Sequence, residues 1–311
     1  MKLYYYKHPT GNFGDDLNPW IWETLAPELF DEDASQLFVG IGTLINDKVP
    51  AQPQKLVFGS GVGYNGAATI DARWKFYGVR GPRSAQVLNL DPSLVLSDPA
   101  VLLTQVAGPA PAPTGKVVFM PHHGSLGNAD WRPVCEQAGI EFIDPSDDAR
   151  TTVEKIRGAR LVIAEAMHAA IVADAFRVPW IPVSCYDHIL DFKWRDWCES
   201  LQMDYRPTAL PTLWDMERNL APADRMKGKI KRALRGAGIW SDNWTPPVPA
   251  TSGTREFDEA SARLAALARP GATVGHVTLS DEQRHRESIE RQLERLQLVR
   301  RDHAAARSLS A

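Results

Sequence analysis

Residues 160–183 read RLVIAEAMHAAIVADAFRVPWIPV and contain the pattern that decides the fold. Arg160–Ala164 is a short apolar run that predicts a buried strand. A helix is predicted from about Met167 to Phe176, and a second strand over Trp180–Val183. A strand, a helix and a strand in this order form a right-handed crossover between parallel neighbours. The stretch therefore predicts a parallel sheet of the α/β class.

The same alternation extends in both directions along the chain. Asn18 followed by Pro19 is typical of a helix start, so residues 7–18 are expected to form a loop. Upstream of residue 107 the predicted strands are Lys2–Tyr6, Gln36–Ile41, Lys55–Phe58 and Trp74–Val79, with helices at Pro19–Leu25 and Pro82–Leu90. Downstream, strands are predicted at Lys116–Met120 and Ile140–Ile143, with helices near Pro133–Ala138 and Thr151–Arg157.

A Pro- and Gly-rich stretch, AGPAPAPTG at residues 107–115, divides the chain into two α/β units. The predicted organisation is an α/β domain over 1–106, a linker over 107–115, a second α/β domain over 116–220, and a helical extension with a loop over 221–311. Each α/β domain is expected to be a Rossmann-like, doubly wound sheet, and two facing domains would form a cleft at the carboxyl ends of their strands. The final helix is expected to begin at Ser280, with Gln283 completing a capping box.

The composition indicates a soluble globular chain. It has 311 residues, of which 44% are hydrophobic and 23% charged, which is enough apolar material for a sizeable core. The net charge of −3 is too balanced for a protein whose whole surface binds nucleic acid. The three cysteines have no metal-site spacing, and neither a disulfide framework nor a metal site is predicted. No apolar run has the length of a secretory signal or a membrane span, so a cytoplasmic location is expected.

The first cluster of polar residues is GNFGDDLN at 11–18, which brings Asn12, Gly14 and Asp15 to the mouth of the first strand. Such a loop can hold a sugar hydroxyl or supply a general base, and Asp15 is preferred over Asp16 as that base. The alternative is a turn in which these side chains only cap the backbone.

The second cluster is GSGVGYNG at 59–66, with the spacing G-x-G-x-x-G at Gly61, Gly63 and Gly66. A dinucleotide site needs a helix that opens directly from the glycines, and Ala67–Asp71 predicts none, which makes a nicotinamide enzyme the weakest interpretation. Two interpretations stay open. Gly61 and its neighbours let backbone N–H groups approach an anionic ligand, or they form a tight structural turn.

The third cluster is VRGPRS at 79–84, where a strand runs into a helix N-terminus. Guanidinium groups beside free backbone N–H groups favour anions, so Arg80 and Arg83 are predicted to bind an anionic substrate. A solvated position in the first helical turn is the alternative for Arg83.

The fourth cluster comprises His122 and His123 after one predicted strand, and Glu165 and His168 after another. Adjacent histidines on an extended chain point to opposite faces, so they are not expected to share a metal, and one of them is expected to face the cleft. His168 opens a predicted helix opposite the first domain. A structural role is the alternative for a single histidine of this kind.

Taken in order, these clusters resemble the polysaccharide pyruvyl transferase family over about residues 1–190. The resemblance is carried by Asn12-Phe13-Gly14-Asp15, Gly59–Gly63, Val79–Ser84, Leu96-Ser97-Asp98-Pro99-Ala100, and Ala164–Ile171 followed by Val178-Pro179. The pattern is similar in particular to the exopolysaccharide enzymes of the succinoglycan type. The family usually has Arg before Leu-His or Met-His, whereas this chain has Ala166 before Met167-His168.

The resemblance implies a GT-B-like architecture and transfer of pyruvate from phosphoenolpyruvate to a hexose of a lipid-linked exopolysaccharide repeat unit. The implied products are a cyclic pyruvate ketal and phosphate, and no metal or redox cofactor is expected. Ketal formation needs an acid that protonates the methylene carbon and an acceptor for hydroxyl protons, and we assign these roles to His168 and Asp15. The residues expected to bind the substrates are Asn12, Gly14, Gly61, Arg80, Arg83, His122, His123 and Glu165.

The C-terminal third predicts a basic amphipathic helix, which can lie on an anionic membrane surface or present a solvated face. Its cations are Arg225, Lys227, Lys229, Lys231, Arg232 and Arg235, and its apolar residues are Met226, Ile230 and Leu234. On the first alternative the protein is peripheral at the inner membrane. Two rival functions stay open at this level: a glycosyltransferase of the same fold that uses a nucleotide sugar, and a non-catalytic protein of polysaccharide assembly.

Overall fold

The first unit is a four-stranded parallel sheet in the computed structural model, which describes residues 1–63, 66–239, 244–271 and 275–310. Its strands are β1 (Lys2–Tyr4), β2 (Gln36–Val39), β3 (Gln54–Phe58) and β4 (Trp74–Gly78), in the spatial order β1-β2-β3-β4. Helix α1 (Phe13–Leu25) follows β1, and α2 (Pro82–Val87) follows β4. The described residues between β2 and β4 form no helix, and the strand order never reverses. The prediction of a doubly wound first sheet is therefore wrong.

The second unit is a five-stranded parallel sheet. Its strands are β5 (Val117–Met120), β6 (Glu141–Phe142), β7 (Leu161–Ala164), β8 (Trp180–Ser184) and β9 (Thr208–Ala209), and their spatial order is β6-β5-β7-β8-β9. The helices between them are α3 (Arg132–Ala138), α4 (Ala149–Gly158), α5 (Met167–Ala175) and α6 (Asp191–Ser200). The order reverses between β5 and β7, which confirms a doubly wound sheet here. Ligands of such sheets bind beyond the strand ends at this reversal.

Helix α1 begins at Phe13, although the sequence had predicted that it would begin at Pro19. Pro19 lies inside the helix, where it cannot donate to the carbonyl of Asp15 four residues earlier. The side chain of Asn18 replaces that donor, because its Nδ2 lies 3.0 Å from the Asp15 carbonyl and 3.0 Å from the Ile41 carbonyl. Asn18 is thus a buried link to the loop after β2 and not a helix cap. Residues 13–18, which were expected to be a loop, form the first turns of α1.

One hydrophobic core extends across both units. It includes Phe13, Trp22 and Phe58 of the first unit and Ala164 and Trp180 of the second. Helix α5 packs against α1 and against a 3₁₀ segment, Pro99–Gln105, that precedes the linker. Residues 107–115 themselves form neither helix nor strand. The two sheets are therefore held in contact by packing, while the domain boundaries stay a prediction.

The C-terminal extension contains α7 (Pro222–Gly236), α8 (Thr254–Ala268) and α9 (Glu282–Ser310). The prediction that α9 begins at Ser280 with a capping box from Gln283 is wrong. Asp281 caps the helix, because its Oδ1 accepts from the backbone N–H of Gln283 at 3.0 Å, while the Gln283 side chain donates to Glu287. Among the described helices, none combines the length and the apolar character needed to cross a membrane.

Helix α9 connects the two units. At its start, Ser280 donates to the buried carboxylate of Asp174 in the second unit. Further along, Gln292 donates to the Leu96 carbonyl at 3.0 Å, and Arg300 donates to Glu28 at 2.6 Å, both in the first unit. The last helix of the chain thus fastens the first unit to the second.

Candidate active site

A cavity of about 490 Å³ opens at the carboxyl ends of β5 and β7, where the order of the second sheet reverses. The facing wall comes from the first unit, from the loops after β1 and β2. The first turns of α1 and α5 both reach the cavity, through Gly14 and His168. The positive ends of two helix dipoles therefore converge on it, which favours an anionic ligand.

Six of the residues predicted from the sequence line this cavity. They are Asn12, Gly14, Asp15, His122, His123 and His168. They come from segments more than 100 residues apart, and the contact between α1 and α5 brings them together. Gly61, Arg80, Arg83 and Glu165 do not line it.

The imidazole of His168 packs directly on Gly14. A Cβ atom added at Gly14 would lie 2.0 Å from Nδ1 of His168, far inside van der Waals contact. Only glycine allows the histidine ring to approach the α1 backbone this closely. The glycine is therefore required by the position of His168, and Nδ1 is the ring nitrogen on the side of the cavity-lining Gly14.

The opposite edge of the His168 ring faces a buried carboxylate. Nε2 lies 3.6 Å from Oδ2 of Asp98, which is fully buried. Neither atom has a hydrogen-bond partner in the described part of the chain. Ser97 adopts a left-handed conformation with φ of 76°, uncommon for a residue with a side chain, immediately before the aspartate. Asp98 thus lies within ion-pair distance of Nε2, where its carboxylate can orient the ring and leave Nδ1 for chemistry.

We expect the variant Asp98→Asn to lower kcat by about 10- to 100-fold, because a charge-assisted hydrogen bond between Asp98 and the ring, once it forms in the reacting complex, contributes about 1.5 to 3 kcal/mol. The substrate KM should change little, since Asp98 does not line the cavity. Steady-state kinetics across pH would measure both parameters. A rise in KM as large as the expected fall in kcat, with kcat itself unchanged, would contradict a positioning role for Asp98.

Asp15 lines the same cavity, close to His168 and Lys193. Burial raises its pKa to about 7, although the nearby His168 opposes the shift. Nδ2 of Asn12 donates to Oδ2 of Asp15 at 2.5 Å. Burial and the neighbouring Arg80 lower the pKa of Lys193, another cavity residue, to about 7. The site thus holds a carboxyl group and an amine that both titrate near neutral pH.

His122 is held as a neutral hydrogen-bond donor. Its Nδ1 accepts from the backbone N–H of Gly124 at 3.1 Å, so the ring proton lies on Nε2. Burial, and to a smaller extent the nearby Lys193 and His188, lower the pKa of His122 well below its ordinary value. His123 lies nearer the mouth, where its ring contacts that of His8 at a centroid distance of 4.1 Å.

Glu165 supports this loop rather than the substrate. Its side chain is fully buried, and Oε2 accepts from the backbone N–H of His122 at 2.9 Å and from Ser125 Oγ at 2.7 Å. Oε1 accepts from the Cys185 backbone at 2.9 Å. These three donors occupy the carboxylate. Our prediction of direct substrate binding by Glu165 therefore has no support in the geometry, which gives it a role in positioning His122.

Arg80 is likewise enclosed instead of facing the cavity. Its side chain is 0% exposed, and Nε lies 3.2 Å from Oδ2 of Asp196, which is also fully buried. Nη1 donates to Thr43 Oγ1 at 3.2 Å, and Nη2 donates to the Val62 carbonyl at 3.3 Å. Thr43 lines the cavity, so Arg80 lies behind the wall. The structure shows it as a tie between the first unit and α6.

Arg83 and Gly61 also contribute to the contact between the first unit and α6. Arg83 binds Glu199 of α6 with two nitrogens, at distances of 2.6 to 3.0 Å. A Cβ at Gly61 would lie 2.3 Å from Nη2 of Arg80, so the glycine gives space to the guanidinium. Tyr64 and Asn65 of the predicted glycine-rich turn lie outside the described residues. Substrate binding by Gly61, Arg80 and Arg83 stays a prediction that the cavity geometry does not support.

Two residues of the site, Lys193 and Asp98, were not predicted as site residues from the sequence. Lys193 lies in α6 within DFKWRDW, where a lysine looks like an ordinary solvated helix residue. Asp98 belongs to a stretch that carried the family resemblance, but an Asp before Pro is typical of a cap, and its Oδ1 does accept from the Ala100 backbone at 3.0 Å. A carboxylate with a second oxygen aimed at His168 cannot be recognised without the fold.

The described residues contain no group of three or more His, Cys, Asp or Glu side chains arranged to hold a metal ion. The expectation of a reaction without metal or redox cofactor stays a prediction.

The fold and the cavity define an α/β protein of two parallel sheets, with a histidine and a carboxyl group that line a cleft beside two helix N-termini. A sequence model of polysaccharide pyruvyl transferases matches residues 2–188. The chain belongs to the polysaccharide pyruvyl transferase family. It is also 35% identical over 268 residues to the succinoglycan biosynthesis protein ExoV of Rhizobium meliloti (strain 1021), a match that covers 83% of this chain and 79% of that protein.

Membership of this family makes the protein a pyruvyl transferase enzyme. It thereby decides between the functions left open by the sequence, since a non-catalytic assembly protein and a nucleotide-sugar glycosyltransferase are both set aside. Gly61 gives space to Arg80 and Gly63 to Thr43. The glycine spacing at 61–66 is not that of a dinucleotide site, because no helix begins among the described residues between β3 and β4.

Proposed function

We propose that the protein transfers pyruvate from phosphoenolpyruvate to a hexose of an exopolysaccharide repeat unit carried on a lipid, in the cytoplasm, and so forms a cyclic ketal and phosphate. The proposal rests chiefly on one observation: His168 and Asp15 converge beneath two helix N-termini in a chain of this family. The name of the similar protein ExoV, which refers to succinoglycan biosynthesis, supports an exopolysaccharide acceptor. The cleft between the two units is consistent with a GT-B-like arrangement.

Phosphoenolpyruvate brings a carboxylate and a phosphate, and the cavity offers cations and donors for both. Lys193 supplies positive charge at the cavity wall, and Nε2–H of His122 supplies a neutral donor. The first turns of α1 and α5 add the positive ends of their dipoles. Ala166, which stands where the family pattern usually has Arg, also lines the cavity. We assign the role of that missing cation to Lys193.

The reaction then follows from the positions of two groups. His168, protonated at Nδ1, gives its proton to the methylene carbon of phosphoenolpyruvate, and C2 becomes an electrophilic, oxocarbenium-like centre. One sugar hydroxyl attacks C2 and loses its proton to Asp15. Phosphate leaves C2 with the proton that Asp15 accepted, the second hydroxyl attacks C2 and closes the ketal, and the proton of that hydroxyl restores the acid form of His168. The protons balance, because the two sugar hydroxyls release two protons. The methyl carbon of the product gains one proton in the reaction and the released phosphate gains the other.

Asp15 must be ionised to accept a proton, and its pKa is raised to about 7. We therefore expect kcat/KM to rise with pH up to about 7 and to fall above it as Lys193 loses its charge, and we expect the variant Asp15→Asn to lose the rising limb. The raised pKa of Asp15 also determines the direction in which the stability of the fold changes with pH. Because the folded state keeps the proton to a higher pH than the unfolded chain, Asp15 makes folding less favourable as pH rises from about 4 to 7.

Two measurements check this prediction, a pH–rate profile and urea unfolding at several pH values. In Asp15→Asn the loss of stability between pH 4 and 7 should become smaller than in the wild type. A variant that keeps the rising limb of the wild-type profile would assign that titration to another group.

The proposed reaction is tested by thermal shift and by product analysis. Phosphoenolpyruvate should raise the melting temperature, since a ligand selective for the native state stabilises it by RT ln(1 + [L]/Kd), and nucleotide sugars should not. With a lipid-linked oligosaccharide as acceptor, phosphate release should be accompanied by a ketal in the product. A shift from nucleotide sugars alone, without phosphate release from phosphoenolpyruvate, would overturn the proposed donor.

A further inference from the structure

Helix α7 leaves two large apolar side chains exposed to solvent, whereas an ordinary surface helix packs its apolar stripe against the protein. Met226 and Ile230, one turn apart, are 58% and 54% exposed. The residue of α7 that is buried is Gly228. On the same side, Arg232 donates to Glu217 at 2.6 Å and to the Val248 carbonyl at 2.8 Å. The helix is thus anchored through its polar side, and the described residues leave the apolar stripe uncovered.

The stripe is bordered by positive charge. Lys227 follows Met226 by one position and Lys229 precedes Ile230 by one, so the helical rotation places a lysine on each side of the stripe. Over its whole length α7 carries six cations and one acid, Asp224, in a chain whose net charge is −3. Ile239, just beyond the end of the helix, is 59% exposed. Apolar exposure and positive charge therefore coincide on one helix.

We infer that α7 is a docking surface for an anionic lipid membrane and lies in the plane of the interface with Met226 and Ile230 among the headgroups. A stripe of this width is small for a stable protein interface, which buries about 800 Å² on each partner. It suits a lipid surface, where a few inserted apolar side chains and several basic residues together give reversible binding. This inference concerns where the enzyme works, and it does not rest on the proposed reaction.

The inference is tested with the full-length protein and sedimentation of vesicles, one set of phosphatidylcholine and one of equal parts phosphatidylcholine and phosphatidylglycerol. Binding is expected to the anionic vesicles only and should weaken as salt is raised. The double variant Lys227→Glu/Lys229→Glu should bind about 30-fold or more weakly, because each basic residue near an anionic surface contributes about fivefold to binding. The variant Met226→Asp/Ile230→Asp should also lose binding.

The matched control is Arg284→Glu/Arg286→Glu, which reverses two exposed cations at the same spacing on α9. It should bind as the wild type does, and circular dichroism should show that all variants are folded. Three results would overturn the inference: no binding to anionic vesicles at low salt, equal loss in the α9 control, or a wild-type dimer that Met226→Asp/Ile230→Asp converts to a monomer with vesicle binding unchanged. None of these outcomes depends on phosphoenolpyruvate, so a failed membrane test and a failed reaction test stay distinct.

Discussion

Replacing His168 by Ala is expected to lower kcat by about 10²- to 10⁴-fold, the range that loss of a general acid produces. The imidazole lies between Gly14 and Asp98 at the cavity wall, and the described residues of the wall offer no second group with the same backing carboxylate. Phosphoenolpyruvate should still stabilise the variant in a thermal shift, because Lys193 and the helix N-termini are retained. Kinetics and ligand-induced melting shifts together separate loss of chemistry from loss of binding.

Two further variants sharpen this test. His168→Gln keeps hydrogen-bonding capacity but cannot deliver a proton at neutral pH, so it should be nearly as slow as the Ala variant. The exposed His276 provides the control, and His276→Ala should leave kcat unchanged. A His168→Gln enzyme with substantial turnover would show that the ring positions the substrate without transferring a proton.

Arg80→Met is expected to lower the free energy of unfolding by about 3 to 5 kcal/mol, the loss typical of breaking a buried ion pair. The change leaves the fully buried carboxylate of Asp196 without its cation, while Ser84 still donates to it at 2.6 and 2.8 Å. Urea unfolding would measure the loss. The double variant Arg80→Met/Asp196→Asn should recover part of it, because the uncompensated charge is gone.

The same variants distinguish a structural arginine from a substrate-binding one. If Arg80 only ties the units together, stability falls and phosphoenolpyruvate still shifts the melting temperature of the folded fraction. Unchanged stability together with a lost response to phosphoenolpyruvate would restore the binding role that the sequence suggested and would contradict the packing account.

Strands β5 to β8 of the second sheet were predictable from the sequence because their signals agree, whereas α6 and β9 were not predicted. Apolar runs of strand length alternate with helical segments from Val117 to Ser184, and no strong local signal conflicts with them. Helix α1 was not predictable in the same way. Asn18-Pro19 has the chemistry of a helix start, but the Asn18 amide satisfies the carbonyl that Pro19 leaves unbonded, so tertiary contacts allow the helix to begin earlier.

The candidate site shows a similar division. Asp15, His122 and His168 could be found because residues after parallel strands meet at one edge of a sheet, whichever strands are neighbours. Arg80 could not be placed, because its counter-ion Asp196 is far away in the chain and only the fold reveals that the two are buried together. Lys193 reaches the cavity through the packing of α6 between the units, and a single sequence contains no signal of that packing.

The fastening of the first unit by α9 has a consequence for biosynthesis. A ribosome releases β1 to β4 well before α9. The carbonyl of Leu96, the carboxylate of Glu28 and the side chains of Lys75 and Tyr77 nevertheless find their partners on α9. The second sheet also receives C-terminal segments, through α8 and Ser280, but both of these precede Glu282 in the chain. The half of the enzyme that is made first is therefore the half that is completed last, and nascent chains stalled before Glu282 should expose it to proteases and chaperones.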